Sequence, residues 1–204
     1  MVIEDFGARV TSVWQGLRPV TRSLVEQAVA ASAAAATHAR ASYDARSEWE
    51  LSLLLAALDD RAAEAAAASP LSDEQTRELG RMAETCAFVL GREARSAEVF
   101  GQLLERALRA ADYARVDAVA DAVAARLAPT ETCELTRHQN AAVRAIAHEA
   151  LLQTPVPALV ALLGDPVDAC VARDALERLA SEYESEEARW VVDALEYADP
   201  LQDE

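Results

Sequence analysis

Asn140, Ala141, Ala142, Val143, Arg144, Ala145, Ile146, Ala147, His148, Glu149, Ala150, Leu151 forms one run of this 204-residue chain. Asp165, Pro166, Val167, Asp168, Ala169, Cys170, Val171, Ala172, Arg173, Asp174, Ala175, Leu176 forms another. Asp165 follows Asn140 by 25 residues, and Leu176 follows Leu151 by the same 25. Each run opens on a side chain that caps helices and closes on an acidic residue, Ala and Leu. A short helix is expected before each, Thr130 to Arg137 and Val156 to Leu163. The spacing predicts one helix, tight turn, helix unit used twice.

The rest of the chain points the same way. Hydrophobic residues make up 52% of the sequence but aromatics only 5%, so much of the apolar content is Ala, the strongest helix former. No alternating β-branched run marks a strand. Phe6, Val10, Val13 and Leu17 put one stripe on a first helix that Pro19 closes. An Ala-rich segment follows from about Thr21 to Asp44, with Ala33 to Ala36 as a face that neighbours can approach closely. Ser47 with Glu50 has capping-box spacing and predicts a helix carrying Leu51, Leu54, Leu55 and Leu58 that ends near Ser69 and Pro70. Ser72 with Gln75 predicts another, with Leu79, Met82, Cys86, Val89 and Leu90 inward and Gly91 at its end. Ser96 caps a helix bearing Val99, Leu103, Leu104 and Leu108; Asp112 marks a turn; Val116, Val119, Val123 and Leu127 form the next face, which Pro129 breaks. Within the repeats, Ile146, Leu151, Val171, Leu176 and Leu179 are expected in the core.

The run Leu159, Val160, Ala161, Leu162, Leu163, Gly164, Asp165, Pro166 resembles the first helix and turn of a HEAT repeat, and Asn140, Val143, Arg144, Ala147, Ala150 and Leu151 resemble the start and core of its second helix. The resemblance covers about residues 129–198, the last part being a half-unit from Glu186 onward. It implies an all-α fold, a right-handed α-α superhelix of stacked antiparallel hairpins. It also implies a pairing of Arg144 with Asp165 of the adjacent unit. Asn140 stands where the family usually has Asp, and Ala169 takes the place equivalent to Arg144, so such a ladder is one rung long. The organisation expected is an irregular stack of about six helices over residues 1–128, HEAT-like repeats over 129–198 and an acidic tail over 199–204. Ala107, Leu108, Asp112, Tyr113, Ala114, Ala118 and Ala122 are similar to a tetratricopeptide turn, a pattern that any short-looped helical hairpin also produces.

Nineteen basic residues stand against 35 acidic ones, a formal charge of −16, and every basic residue is Arg, which we read as a habit of a GC-rich genome. So acidic a field repels phosphate backbones and anionic lipid, which argues against a nucleic-acid or membrane partner. From Glu182 to Glu204 nine carboxylates face the single Arg189, half of the net charge. That segment reads as a solubilising cap or as an electrostatic lure for a basic protein. Cys86, Cys133 and Cys170 lie apart in apolar helical contexts and read as buried free thiols; without a CxxC pair they suit a reducing cytoplasm. Met1 runs into Glu4 and Asp5 with no basic and apolar leader, so no secretory signal is expected.

Chemistry is sparse. Cys133, His138 and nearby carboxylates sit in no glycine-rich elbow, six glycines provide no phosphate loop, and His138, His148 and Glu149 lack metal-site spacing, with His38 an ordinary surface residue. No catalytic, cofactor-binding or metal-binding residue is assigned, and no cofactor is expected. Trp14, Trp49 and Trp190 suit packing anchors, Trp190 being the one placed to meet a partner because no following repeat covers it. The exposed faces of the second helices add Asp168, Arg173 and Glu177 as partner-binding candidates. The expected function is a non-catalytic protein-protein interaction scaffold. The alternatives are a HEAT-like enzyme of the lyase type, since a glycosylase of this kind needs a basic groove, and an acidic inhibitor that mimics nucleic acid.

Overall fold

The computed structural model describes residues 3–30, 43–67 and 71–198. Among these there are eleven α-helices, one short 3-10 helix (Ile3–Phe6) and no strand. The helices are α1 (Ala8–Gly16), α2 (Pro19–Ala30), α3 (Ala45–Ala67), α4 (Asp73–Glu93), α5 (Ala97–Arg109), α6 (Tyr113–Arg126), α7 (Pro129–Leu135), α8 (Ala141–Leu151), α9 (Val156–Leu162), α10 (Ala169–Ser181) and α11 (Glu186–Ala198). Two compact units divide between Ala94 and Arg95, so α5 and α6 belong with the later hairpins. The sequence boundary at 128/129 marked a change of repeat character, a different property from compactness. His38, the Ala33 to Ala36 run, Ser69, Pro70 and the 199–204 tail lie outside the described residues.

In the N-terminal unit α3 and α4 form a long hairpin on which α1 and α2 pack. Phe6, Val10, Leu24, Val25, Leu51, Leu54, Leu55, Leu58, Met82, Cys86 and Leu90 fill its core. The Ser72–Gln75 capping box forms with both reciprocal bonds, at 3.2 Å and 2.9 Å. The Ser47–Glu50 box does not. The helix starts earlier, where the Asp44 carboxylate accepts the Ser47 N–H at 2.7 Å, and Ser47 and Glu50 are left inside α3 and buried. They serve a polar joint instead. The Arg18 guanidinium donates to Asp44 at 2.6 and 3.0 Å and to Glu50 at 3.1 Å, while the Thr21 hydroxyl donates a very short bond to Glu50. Hydrogen bonds from Arg18, then from the Ser47 N–H, hold the Asp44 carboxyl well below the usual carboxylate range. Burial pushes Glu50 upward, but bonds from Thr21 and the Arg18 backbone N–H, together with Arg46 and the Arg18 charge, outweigh it and leave its pKa lowered. At the far end α4 runs past Gly91 to Glu93, and the Ala94 N–H closes the last turn.

In the C-terminal unit the hairpins α5–α6, α7–α8 and α9–α10 follow in order, with α11 packed on α10. First helices contact first helices, α5 with α7 and α7 with α9, and second helices contact second helices, α6 with α8 and α8 with α10. The α5–α6 turn is tight because Ala111 takes a left-handed conformation (φ 52°) that lets the Asp112 N–H reach the Ala107 carbonyl at 3.0 Å. Asp112 then caps α6 by accepting the Arg115 N–H at 3.1 Å. Cys133, Leu151, Leu159, Leu162, Ala172, Leu176, Leu179 and Ala188 share one core. Of the core residues expected in the repeats, Leu151, Leu176 and Leu179 are buried, whereas Ile146 and Val171 keep one side toward water.

The two runs, 25 residues apart, diverge at their first turn. Asn140 caps α8 directly, accepting the Ala142 N–H at 3.0 Å. Asp165 instead accepts the Val167 N–H at 2.8 Å inside a turn, and α10 starts only at Ala169, behind Asp168. The helix predicted from Pro166 is therefore three residues shorter. Two further expectations are corrected: Cys170 is exposed, because the late start of α10 turns it outward, and Trp49 lies on the water side of α3, 53% exposed. No single helix among the described residues is long and apolar enough to cross a membrane.

Candidate functional site

A concavity of the C-terminal unit, about 890 Å³, runs over the first helices and the turns that follow them. Its walls carry Glu98 and Glu105 of α5, Glu131 and Glu134 of α7, the Arg137 to Gln139 turn, and Asp165 with Asp168 in the turn before α10. Pro129 fixes where α7 begins, and seven residues later the chain turns, so α7 is short and presents Glu131 and Glu134 on one face.

Three side chains hold the frame. Glu131 accepts the Ala97 N–H at 2.7 Å, setting a negative charge at the start of α5 where the helix dipole favours it. Arg137 donates to the Val167 carbonyl at 2.8 Å and makes a very short ion pair with Asp168, tying the turn of one hairpin to the turn of the next. Arg144 donates to the carbonyls of His138 and Gln139, both at 2.8 Å, and braces its own turn. The Arg144–Asp165 pairing implied by the family resemblance is therefore not made. The link between these two turns is Arg137 with Asp168, the residue just ahead of the displaced α10 start.

His138 closes one end of the groove. Its Nδ1 accepts the Asn140 N–H at 3.1 Å, leaving Nε2 toward Glu105 Oε1 at 4.0 Å. The ring fits against α5 because position 101 is glycine, where a Cβ would come within 3.0 Å of the imidazole.

Six carboxylates thus face one guanidinium, and that guanidinium is already bound by one of them. The Glu98 and Glu134 carboxylates make no hydrogen bond or ion pair among the described residues, and both residues are exposed. Such a surface attracts cations and cationic side chains. No group of three or more His, Cys, Asp or Glu side chains converges tightly enough to hold a metal ion among the described residues. Cys133 is buried and its thiol is pushed up to about 11, by burial first and by Asp168 second, which keeps it protonated and unreactive at neutral pH.

The sequence candidates are scattered. Asp168 lines the groove but is buried and committed to Arg137, which corrects its expected exposure. Arg173 and Glu177 pair with each other at 3.3 Å on α10, outside the groove. Trp190 stands 72% exposed on α11. The acidic lining escaped the sequence reading, although a signal was there: Glu98 and Glu105 are seven apart and Glu131 and Glu134 three apart, each pair on one helix face. Comparison with family models, with curated proteins and with solved structures gave no significant match to the chain.

Proposed function

We propose that this chain is a non-catalytic protein-protein interaction scaffold built on HEAT-like stacked hairpins, and that its groove takes a basic segment of a partner protein. The observation that carries this reading is the charge of the groove, six carboxylates with their one Arg neutralised internally. The ordered packing of first helices on first helices and second on second supports the repeat reading, since it is how solenoid repeats bury a continuous core. Arginine side chains suit the site, because planar guanidinium forks pair with carboxylates spaced along a wall.

The test is fluorescence anisotropy of a labelled arginine-rich peptide against the full chain. Binding should weaken steeply with salt, and Glu98→Gln with Glu134→Gln should weaken it further by about tenfold at low salt. Both positions are exposed, so the double variant should fold as the parent does. Affinity unchanged by salt and by these substitutions would overturn the reading. Asp168 is the wrong position to neutralise, since its loss frees Arg137 and changes two charges at once.

A further inference from the structure

The helix α11 has two faces of different kinds. Ala188 is fully buried, and Val191 and Val192 pack beside it on the core of the C-terminal unit. Opposite them stand Trp190, 72% exposed, and Tyr197, 81% exposed. These two are seven residues apart, so they lie on one stripe, separated along the helix axis by about 10 Å. An ordinary solvated face does not centre its two largest aromatics directly away from the core. Glu186 lies one turn before Trp190, Asp193 lies between the aromatics on one flank, and Glu187 lies on the other flank. None of these carboxylates makes an ion pair among the described residues, and the helix's one basic residue, Arg189, donates to the Ala180 carbonyl. No residue of α11 lines the groove.

We infer that the outer face of α11 is a second docking surface, independent of the groove, and that it takes a helix of a partner protein whose apolar stripe is flanked by Lys and Arg. Charge chooses the occupant. A second copy of this chain would bring the same carboxylates against Glu186, Glu187 and Asp193, and nucleic acid or anionic lipid would be repelled. Shape chooses the helix. A stripe two turns long matches the i, i+3, i+4, i+7 anchors of an amphipathic helix, packed at the usual 8–10 Å between axes. Cationic side chains at the edges of that helix meet the carboxylates and lie over the Trp190 and Tyr197 rings, where cation–π attraction adds to the pairing. Trp190 and Tyr197 are the anchors, and the carboxylates set the orientation.

The experiment uses the full chain with Trp14 and Trp49 replaced by Phe, so that emission reports Trp190 alone. The probe is a Leu–Lys helix with one apolar stripe; the controls are a Leu–Glu helix of the same pattern and the Leu–Lys composition scrambled to abolish the stripe. Titration with the Leu–Lys helix should shift the Trp190 emission to the blue. In the full chain with Trp14 and Trp49 intact and the groove neutralised by Glu98→Gln with Glu134→Gln, labelled probe followed by anisotropy should lose about tenfold or more in affinity on Trp190→Ala with Tyr197→Ala. Glu186→Gln with Asp193→Asn, which keeps both aromatics, should lose less, and only at low salt. Glu98→Gln with Glu134→Gln should leave the emission shift unchanged, which separates this surface from the groove. An unshifted emission, an equal emission shift with either control, or an affinity indifferent to the α11 variants would overturn the inference. A concentration-dependent dimer dispersed by Trp190→Ala would overturn it too, by making the occupant a second copy.

Discussion

The two units are both helical stacks, yet different chemistry closes each. In the N-terminal unit Arg18, Thr21, Asp44, Ser47 and Glu50 build a polar joint between the start of α2 and the start of α3, roofed by the α3–α4 hairpin core. In the C-terminal unit most of the closure is apolar, hairpin on hairpin, with ion pairs such as Arg178–Glu149 at 2.9 Å and Arg137–Asp168 laid over it. A repeated stack can add closure one hairpin at a time. A polar joint is made once, from residues up to 32 apart, and fails as a set.

The difference can be broken first from the apolar side. Leu176 is fully buried where α10 meets α9 and α11, and Leu176→Ala should cost about 2–5 kcal/mol in denaturant unfolding. A loss within error would mean that the C-terminal unit is not closed by that stripe. In the N-terminal unit Glu50→Gln should cost about 1.5–3 kcal/mol, because the bonds it accepts are to a buried charged group.

The same joint carries a pH signature. Asp44 and Glu50 both have lowered pKa values, so the stability they contribute is full above the ordinary carboxylate range, begins to fall below about pH 5 and goes on falling below about pH 4 toward their lowered native values. Thermal melts at pH 7, 5, 4 and 3 should therefore show the gap between parent and Glu50→Gln narrowing toward acid. A constant gap would say that the joint is not ionic.

Smaller effects sharpen the contrast between the two runs set 25 residues apart. Asn140→Ala removes a formed cap and should cost about 1 kcal/mol. Thiol labelling separates the cysteines without perturbing stability: Cys170 should react at once in the native protein, and Cys86 and Cys133 only on unfolding. Equal reactivity of all three would contradict the burial of the first two.

What was legible in the sequence is what local periodicity controls. The stripes of α4 and α6, the Ser72–Gln75 box, the Asp112 turn and the repeat itself follow from neighbours three or four residues apart, and these the chain writes plainly. Ser47 and Glu50 have the same spacing as Ser72 and Gln75, yet Arg18 and Thr21 claim them from far along the chain, and the one local difference is Asp44, three residues ahead of Ser47, which accepts its N–H and starts the helix earlier. Asp165 likewise matches Asn140 in alignment but spends its carboxylate on a turn. The groove was half legible, since spacing puts Glu98 with Glu105 and Glu131 with Glu134, but only the stacking of α5 on α7 brings the two pairs to one surface.

Gly101 works by what it lacks. Alanine would strengthen the middle of α5 by about 1 kcal/mol, yet its methyl would meet the His138 ring at 3.0 Å, and the ring would have to yield by a few tenths of an ångström. The groove thus has a gauge as well as a charge. A chain changed only at position 101 would keep every carboxylate of the groove yet move the ring that closes one end of it, a change of shape made from a site that carries no charge.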